Sequence, residues 1–412
     1  MTTHRRANVS SGRALEKQAH YSRALRVGDT VLQAGTTATD RQGQVRGVGD
    51  VARQVETILA IAEWSLGKAG GRLDDVVRTR IYVTDPALAD AAARTLARRL
   101  RDTRPAATLV QVSRLARAEQ LVEIEMDAVD GARGTARRIA SGRPLEERYA
   151  YSRAVRVGER VLVSGSTALN ARGAVGAPGD VYRQTRITMD TVFQAIDEAG
   201  GTPGDLVYTK TFLTSASGVA DYTRAWLEAV GNVRPASTLL VVPGLVRPEM
   251  LIEVEAEAVV GASRTRQDIY TQRMREKPRG YARAVQAGDW IHVSGCTALD
   301  PGGDVRATGD WAAQYDLAVE TIEWTLEQAG ASLDDVVRRR TFTVDAAEVN
   351  RPYGQGPAWF AGSCPASLGC RVAALARPEL LVEVEVTAVK GARAGIEWIG
   401  PDALDPTDGL PA

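Results

Sequence analysis

The sequence repeats itself at a spacing of 130 residues, and that spacing decides what the chain can fold into. Tyr21-Ser22-Arg23-Ala24 returns as Tyr151-Ser152-Arg153-Ala154 and as Tyr281-Ala282-Arg283-Ala284. Gly35, Gly165 and Gly295 hold the same register, as do Asp50, Asp180 and Asp310, and Glu123, Glu253 and Glu383. Solenoid units are ~20–50 residues long, so a period of this length is a whole small domain written three times. The units span 1–131, 132–261 and 262–393. Residues 394–412, with Pro401, Asp405, Pro406 and Gly409, read as a mobile tail.

One unit predicts its own elements. Tyr21–Val27 and Val31–Ala34 flank Gly28-Asp29, which is hairpin chemistry. Val51, Val55, Ile58, Leu59, Ala62 and Leu66 share one helical face, with Asp50 placed as its cap and Gly70-Gly71 as its stop. Val76–Thr84 alternates as a strand. Asp85-Pro86 opens a second helix, and Thr108–Val112 and Leu121–Ala128 are two further strands. The order β-β-α-β-α-β-β gives an α+β fold, a mixed sheet with two helices on one face.

The other face of each sheet is charged. In Leu121–Ala128 the apolar Val122, Ile124, Met126 and Ala128 alternate with Glu123, Glu125 and Asp127, which point away from the helices. Glu253, Glu255 and Glu257 repeat that face, as do Glu383 and Glu385. The strand Val76–Thr84 supplies Arg78, Arg80 and Tyr82, with counterparts Tyr208, Lys210 and Phe212, and Arg338, Arg340 and Phe342. One reading is a ladder of partly solvated ion pairs within each sheet, weak in energy. The other is that three such faces meet around a pseudo-threefold axis and enclose charged clefts.

These residues resemble the Rid family (reactive intermediate deaminases, YjgF-like). The resemblance rests on Tyr-Ser-Arg-Ala before a hairpin, Ser164-Gly165 and Ser294-Gly295, the strand running from Val76 to Asp85, Arg104-Pro105-Ala106, and Leu121-Val122-Glu123-Ile124-Glu125. It covers every repeat and leaves out only the tail. It implies three chorismate-mutase-like domains packed as an intramolecular pseudo-trimer, with a cleft at each boundary and no cofactor. It further implies hydrolysis of reactive enamines or imines. The family's water-orienting glutamate falls on Glu123, Glu253 and Glu383, and its cleft tyrosine on Tyr21, Tyr151 and Tyr281. The family's carboxylate-gripping arginine falls on Ala107, Ser237 and Ser367, so that clamp is missing. A hydroxyl does not replace a bidentate guanidinium.

The substitute anion anchors expected from the sequence are Arg80, Lys210 and Arg340, basic in every repeat, and Arg371, four residues beyond Ser367 on the same strand face. Ser164, Ser294 and Cys296 flank the cleft glycines and join the candidate set, Cys296 as a possible nucleophile where the other repeats have Thr36 and Ser166. Cys364, Cys370 and His292 lack zinc-site spacing, so no metal is expected. The third repeat is divergent. Its second helix is expected to give way to a loop at 350–357, where two prolines and two glycines fall in eight residues, and a cleft bordered by this repeat is the candidate for specialisation.

Composition narrows the remaining classes. Basic and acidic residues number 51 each, which removes bulk attraction to nucleic acid or anionic membrane. No apolar run approaches the ~18 residues of a spanning helix, the first residues carry no apolar signal core, and three cysteines are too few for a disulfide framework. A cytoplasmic, monomeric pseudo-trimer acting on a small, anionic molecule is the expectation. The leading function is a cofactor-independent enzyme for a small imine, enamine or carbonyl compound. The alternatives are a non-catalytic metabolite-binding or regulatory protein and, by fold analogy alone, a chorismate-type lyase or hydrolase.

Overall fold

The computed structural model describes residues 4–271, 276–344, 358–402 and 405–408. Each repeat builds one sheet. In the first the strand order is Ile396–Ile399, Arg6–Val9, Ala24–Val27, Thr30–Thr36, Val122–Val129, Val76–Val83 and Ala106–Gln111. The second and third sheets repeat the last six strands of that order. Val76–Val83 runs parallel to Ala106–Gln111 and antiparallel to Val122–Val129, so the sheets are mixed as expected.

The helices form where the apolar spacing predicts them. Val51–Lys68, Val181–Glu198 and Trp311–Gln328 each begin at a capping aspartate. Asp50 accepts from the Arg53 amide at 3.1 Å, Asp180 from that of Arg183 at 2.9 Å and Asp310 from that of Ala313 at 3.0 Å. Val55, Ile58 and Ala62 pack on Ile81, Ile124 and Met126, which puts the core between helix and sheet. The second helices are Ala89–Arg99 and Val219–Val230. The loop expected at 350–357 lies outside the described residues.

The repeats close into a ring through main-chain bonds. Ser152 donates to the Pro105 carbonyl, Ala282 to Pro235 and Ser22 to Pro365, so each repeat takes the next and the third returns to the first.

Two expectations are corrected. A short strand heads each repeat, at Arg6–Val9, Arg137–Ile139 and Gln267–Ile269, where charged residues hide the alternation. The segment read as a mobile tail contributes Ile396–Ile399, parallel to Arg6–Val9, because that edge would otherwise present unpaired backbone. Beyond it Asp402 accepts from Trp64 and Lys68, and Asp405 pairs with Arg13 and Arg41.

Candidate active site

The charged faces meet at the centre of the ring, and their pairing crosses the repeat boundaries. Arg80 Nε donates to both carboxylate oxygens of Glu255, at 2.9 and 3.0 Å. Lys210 reaches Glu385 at 2.7 Å, and Arg340 Nε reaches the Glu125 oxygens at 2.8 and 3.1 Å. Basic residues of repeat one thus meet acids of repeat two, those of two meet three, and those of three meet one. Lys210 and Glu255 are both 0 % exposed. Burial opposes ionisation of Glu257 and Glu385, but Arg160 and Lys210 respectively prevail and hold both carboxyls at about 2. The ladder is therefore neither solvated nor confined to one sheet. Arg80, Lys210 and Arg340 are committed to this network and do not line the clefts, which corrects their reading as anion anchors.

The clefts lie outside the network, one per boundary, and each is assembled from two repeats. The first joins Tyr21, Gly35 and Glu123 to Arg339, Ser367 and Gly369 of repeat three. The second joins Tyr151, Gly165 and Glu253 to Thr79, Ala107 and Leu109 of repeat one. The third joins Tyr281, Gly295 and Glu383 to Ser237 and Leu239 of repeat two. The structure thus brings together the tyrosine and glutamate expected from the sequence, beside the position where the family arginine is missing.

Each glutamate is poised by burial. Glu123, Glu253 and Glu383 are at most 8 % exposed. Desolvation, helped by the neighbouring carboxylates Glu125, Glu255 and Glu385, pushes all three up to about 8. Each carboxyl packs on its glycine, which sits at a register shift between the hairpin strand and the acidic strand. The tyrosines are fixed from behind. Arg23 Nη2 donates to the Tyr21 hydroxyl at 2.7 Å while its Nε donates to Glu16 at 3.1 Å, and Arg153 and Arg283 do the same with Tyr151 and Tyr281.

Four further candidates have other work. Ser164 Oγ donates to the Ser152 carbonyl and accepts from the Ala107 amide at 2.8 Å, and Ser294 does the same with Ala282 and Ser237. These hydroxyls staple repeats together and are fully used. Cys296 is 0 % exposed; its Sγ takes the bond from Arg283 that Thr36 and Ser166 take from Arg23 and Arg153, so it is a core replacement and not a nucleophile facing a ligand. Arg371 closes the ring at the far end of its strand, its amide on the Arg114 carbonyl at 3.0 Å, and does not line the three clefts. Among the described residues no group of three His, Cys, Asp or Glu is arranged to hold a metal ion. No helix among them is long and apolar enough to cross a membrane.

The cleft residue that sequence reasoning missed is Arg339. It stands where the other repeats have Thr79 and Thr209, next to Ser367 in the parallel register. The only signal was the break in that threonine column, masked by the run Arg338-Arg339-Arg340.

The endoribonuclease L-PSP family model matches residues 11–130, 143–260 and 274–390. An uncharacterized protein of Streptomyces coelicolor is 40% identical over 126 residues, 31% of this chain and 93% of the relative. The 3-aminoacrylate deaminase RutC of Acinetobacter baylyi is 35% identical over 111 residues, 26% of this chain and 85% of the relative. Among solved structures, the Mycobacterium tuberculosis member of the YjgF/YER057c/UK114 family is 32% identical, with a TM-score of 0.28 over 31% of this chain and 100% of its own. A chorismatase matches 77% of this chain and 93% of its own at 16% identity, TM-score 0.49.

Proposed function

Because the chain belongs to the endoribonuclease L-PSP (Rid, YjgF-like) family, with three copies of the family unit in one polypeptide, we propose that it is a cofactor-independent enzyme acting on a small imine, enamine or carbonyl compound in its boundary clefts. The observation that carries this reading is the glutamate of each cleft, buried beside a tyrosine and held at about 8. Near neutral pH such a group holds a proton that it gives up readily. It protonates an imine nitrogen, and the carboxylate left behind takes a proton from the water that adds to the carbon. The reprotonated glutamate then gives its proton to the amine nitrogen and takes up the proton of the new hydroxyl as the carbon–nitrogen bond breaks, so that ammonia leaves and a carbonyl compound remains. The named activity of the Acinetobacter relative, deamination of an enamine carboxylate, belongs to this class.

The test is turnover of imines generated in solution from amino acids, followed as ammonia release. Glu123→Gln, Glu253→Gln and Glu383→Gln together are expected to lower the rate at least 100-fold. Full activity in that triple variant would overturn the mechanism. A second reading, a metabolite-binding protein without turnover, is favoured by Ala107, Ser237 and Ser367 at the clamp position. Ligand binding with no ammonia release from the wild type would select it.

A further inference from the structure

The three clefts are not equivalent, and the differences gather in one. The cleft at the boundary of repeats three and one measures about 420 Å³, against about 100 and 130 Å³ for the other two. Small-molecule sites run to roughly 300–1,000 Å³, so only the first reaches that range. Four substitutions distinguish the described lining of this cleft from that of the other two.

Gly369 stands where Leu109 and Leu239 fill the other clefts, which removes a side chain. Leu368 replaces Thr108 and Thr238, whose hydroxyls accept from the Gly165 and Gly295 amides at 3.2 and 3.1 Å. Ala34 replaces the stapling Ser164 and Ser294, so this boundary lacks that hydroxyl. The wall has therefore exchanged polar staples for apolar surface and room. The fourth change adds a charge: Arg339 replaces Thr79 and Thr209. It stands beside Ser367, reaches across the boundary to donate to the Ala19 carbonyl at 3.0 Å, and lies over the Phe360 ring at 4.9 Å.

We propose that the cleft between repeats three and one is a binding site for a small carboxylate with an apolar body, and that Arg339 grips its carboxylate. The guanidinium that Ser367 lacks is supplied from the adjacent strand, one register position away. Its planar fork suits a carboxylate, Leu368 and Ala14 offer apolar surface, and Glu123 shares the cavity, ready to exchange a proton with the reacting end. This deepens the enzymatic reading above and assigns it to one cleft.

The experiment is calorimetric titration of the full chain with benzoate and pyruvate, and with benzamide as the neutral control. Wild type is expected to bind the carboxylates and to discriminate against benzamide. Arg339→Thr, which installs the residue of the other two repeats and so is compatible with the fold, is expected to weaken carboxylate binding about 10- to 100-fold, the size of a lost charge-assisted pair. Arg339→Lys is expected to recover part of it, and melting temperatures check that both variants are folded. Unchanged affinity in folded Arg339→Thr, or benzamide binding as tightly as benzoate, would overturn the proposal. Glu123→Gln separates the two readings. Carboxylate binding retained in that variant supports the Arg339 site whether or not the wild type turns over imines; a failed imine assay alone refutes only the chemistry.

Discussion

Gly35 lies directly against the carboxyl of Glu123: a Cβ at that glycine would overlap Oε1 and come within 3.1 Å of Cδ. The same contact joins Gly165 to Glu253 and Gly295 to Glu383. The glycine is required by close approach, not by backbone conformation, since none of the three has a positive φ. Gly35→Ala is expected to push the Glu123 side chain out of its buried position. Its titration, followed by carbon NMR, should then move from about 8 back towards the ordinary carboxyl range. Glu123 still titrating near 8 in that variant would show that the carboxyl does not depend on the glycine.

The raised glutamates set the sign of the protein's pH dependence. In the unfolded chain these carboxyls ionise near 4.3. In the folded protein they hold their protons until about 8. Between those values the folded state binds more protons than the unfolded one, so these groups make stability fall as pH rises. Glu257 and Glu385, held at about 2, act in the opposite sense, and only in acid. The triple Gln variant should therefore be more stable than wild type at pH 7.5 and lose part of the decline between pH 5 and 8. Melting curves across that range decide it; parallel declines in both proteins would mean that the glutamates are ionised.

Much of this architecture is legible because the repeats mark it three times. The apolar spacing of Val55, Ile58 and Ala62, the capping aspartates and the alternation in Val122–Val129 are local patterns, and each is read without knowing the partner surface. Arg80 and Glu255 show where such reading stops. Period-two alternation says that Arg80 leaves the helical face, but only the ring closure supplies a carboxylate 175 residues away. The same holds for Arg339. Within its own strand it is one arginine of three, and its place in a cleft depends on repeat one lying against it. Ile396–Ile399 escaped because a four-residue strand after a domain boundary carries too little pattern to outweigh the prolines beyond it.

That terminal strand should matter for stability. Ile399 accepts from the Ser10 amide at 2.9 Å, and its strand covers the edge formed by Arg6–Val9. Ending the chain after Arg393 exposes this edge and frees Arg13 and Arg41 from Asp405. The melting temperature is expected to drop by roughly 2 °C, what ~2 kcal/mol produces when a chain of 412 residues unfolds cooperatively. Asp405→Asn should cost less, because the strand stays paired. A truncated protein with unchanged melting would show that the strand adds nothing to the fold.

The central network also fixes which repeat may follow which. Repeats one and three place Arg78 and Arg338 beside an acid of the next repeat, Arg78 on Glu257 at 3.3 Å and Arg338 on Asp127. Repeat two has Tyr208 at that position, and repeat three has Thr387 where the acids stand, so both members of this pair are neutral. Tyr208 instead donates to Glu385 at 2.7 Å and stacks on His292, ring centroids 5.7 Å apart. A lone charge here would be buried without its partner, which costs ~3–5 kcal/mol. Tyr208→Arg and Thr387→Asp are each expected to destabilise the protein by about that much. Together they recreate the pair of the other boundaries, and the double variant should recover a large part of the loss. Urea denaturation of the four proteins measures the coupling. Simple additivity would place residues 208 and 387 out of contact and remove the argument that charge pairing enforces the order of the ring.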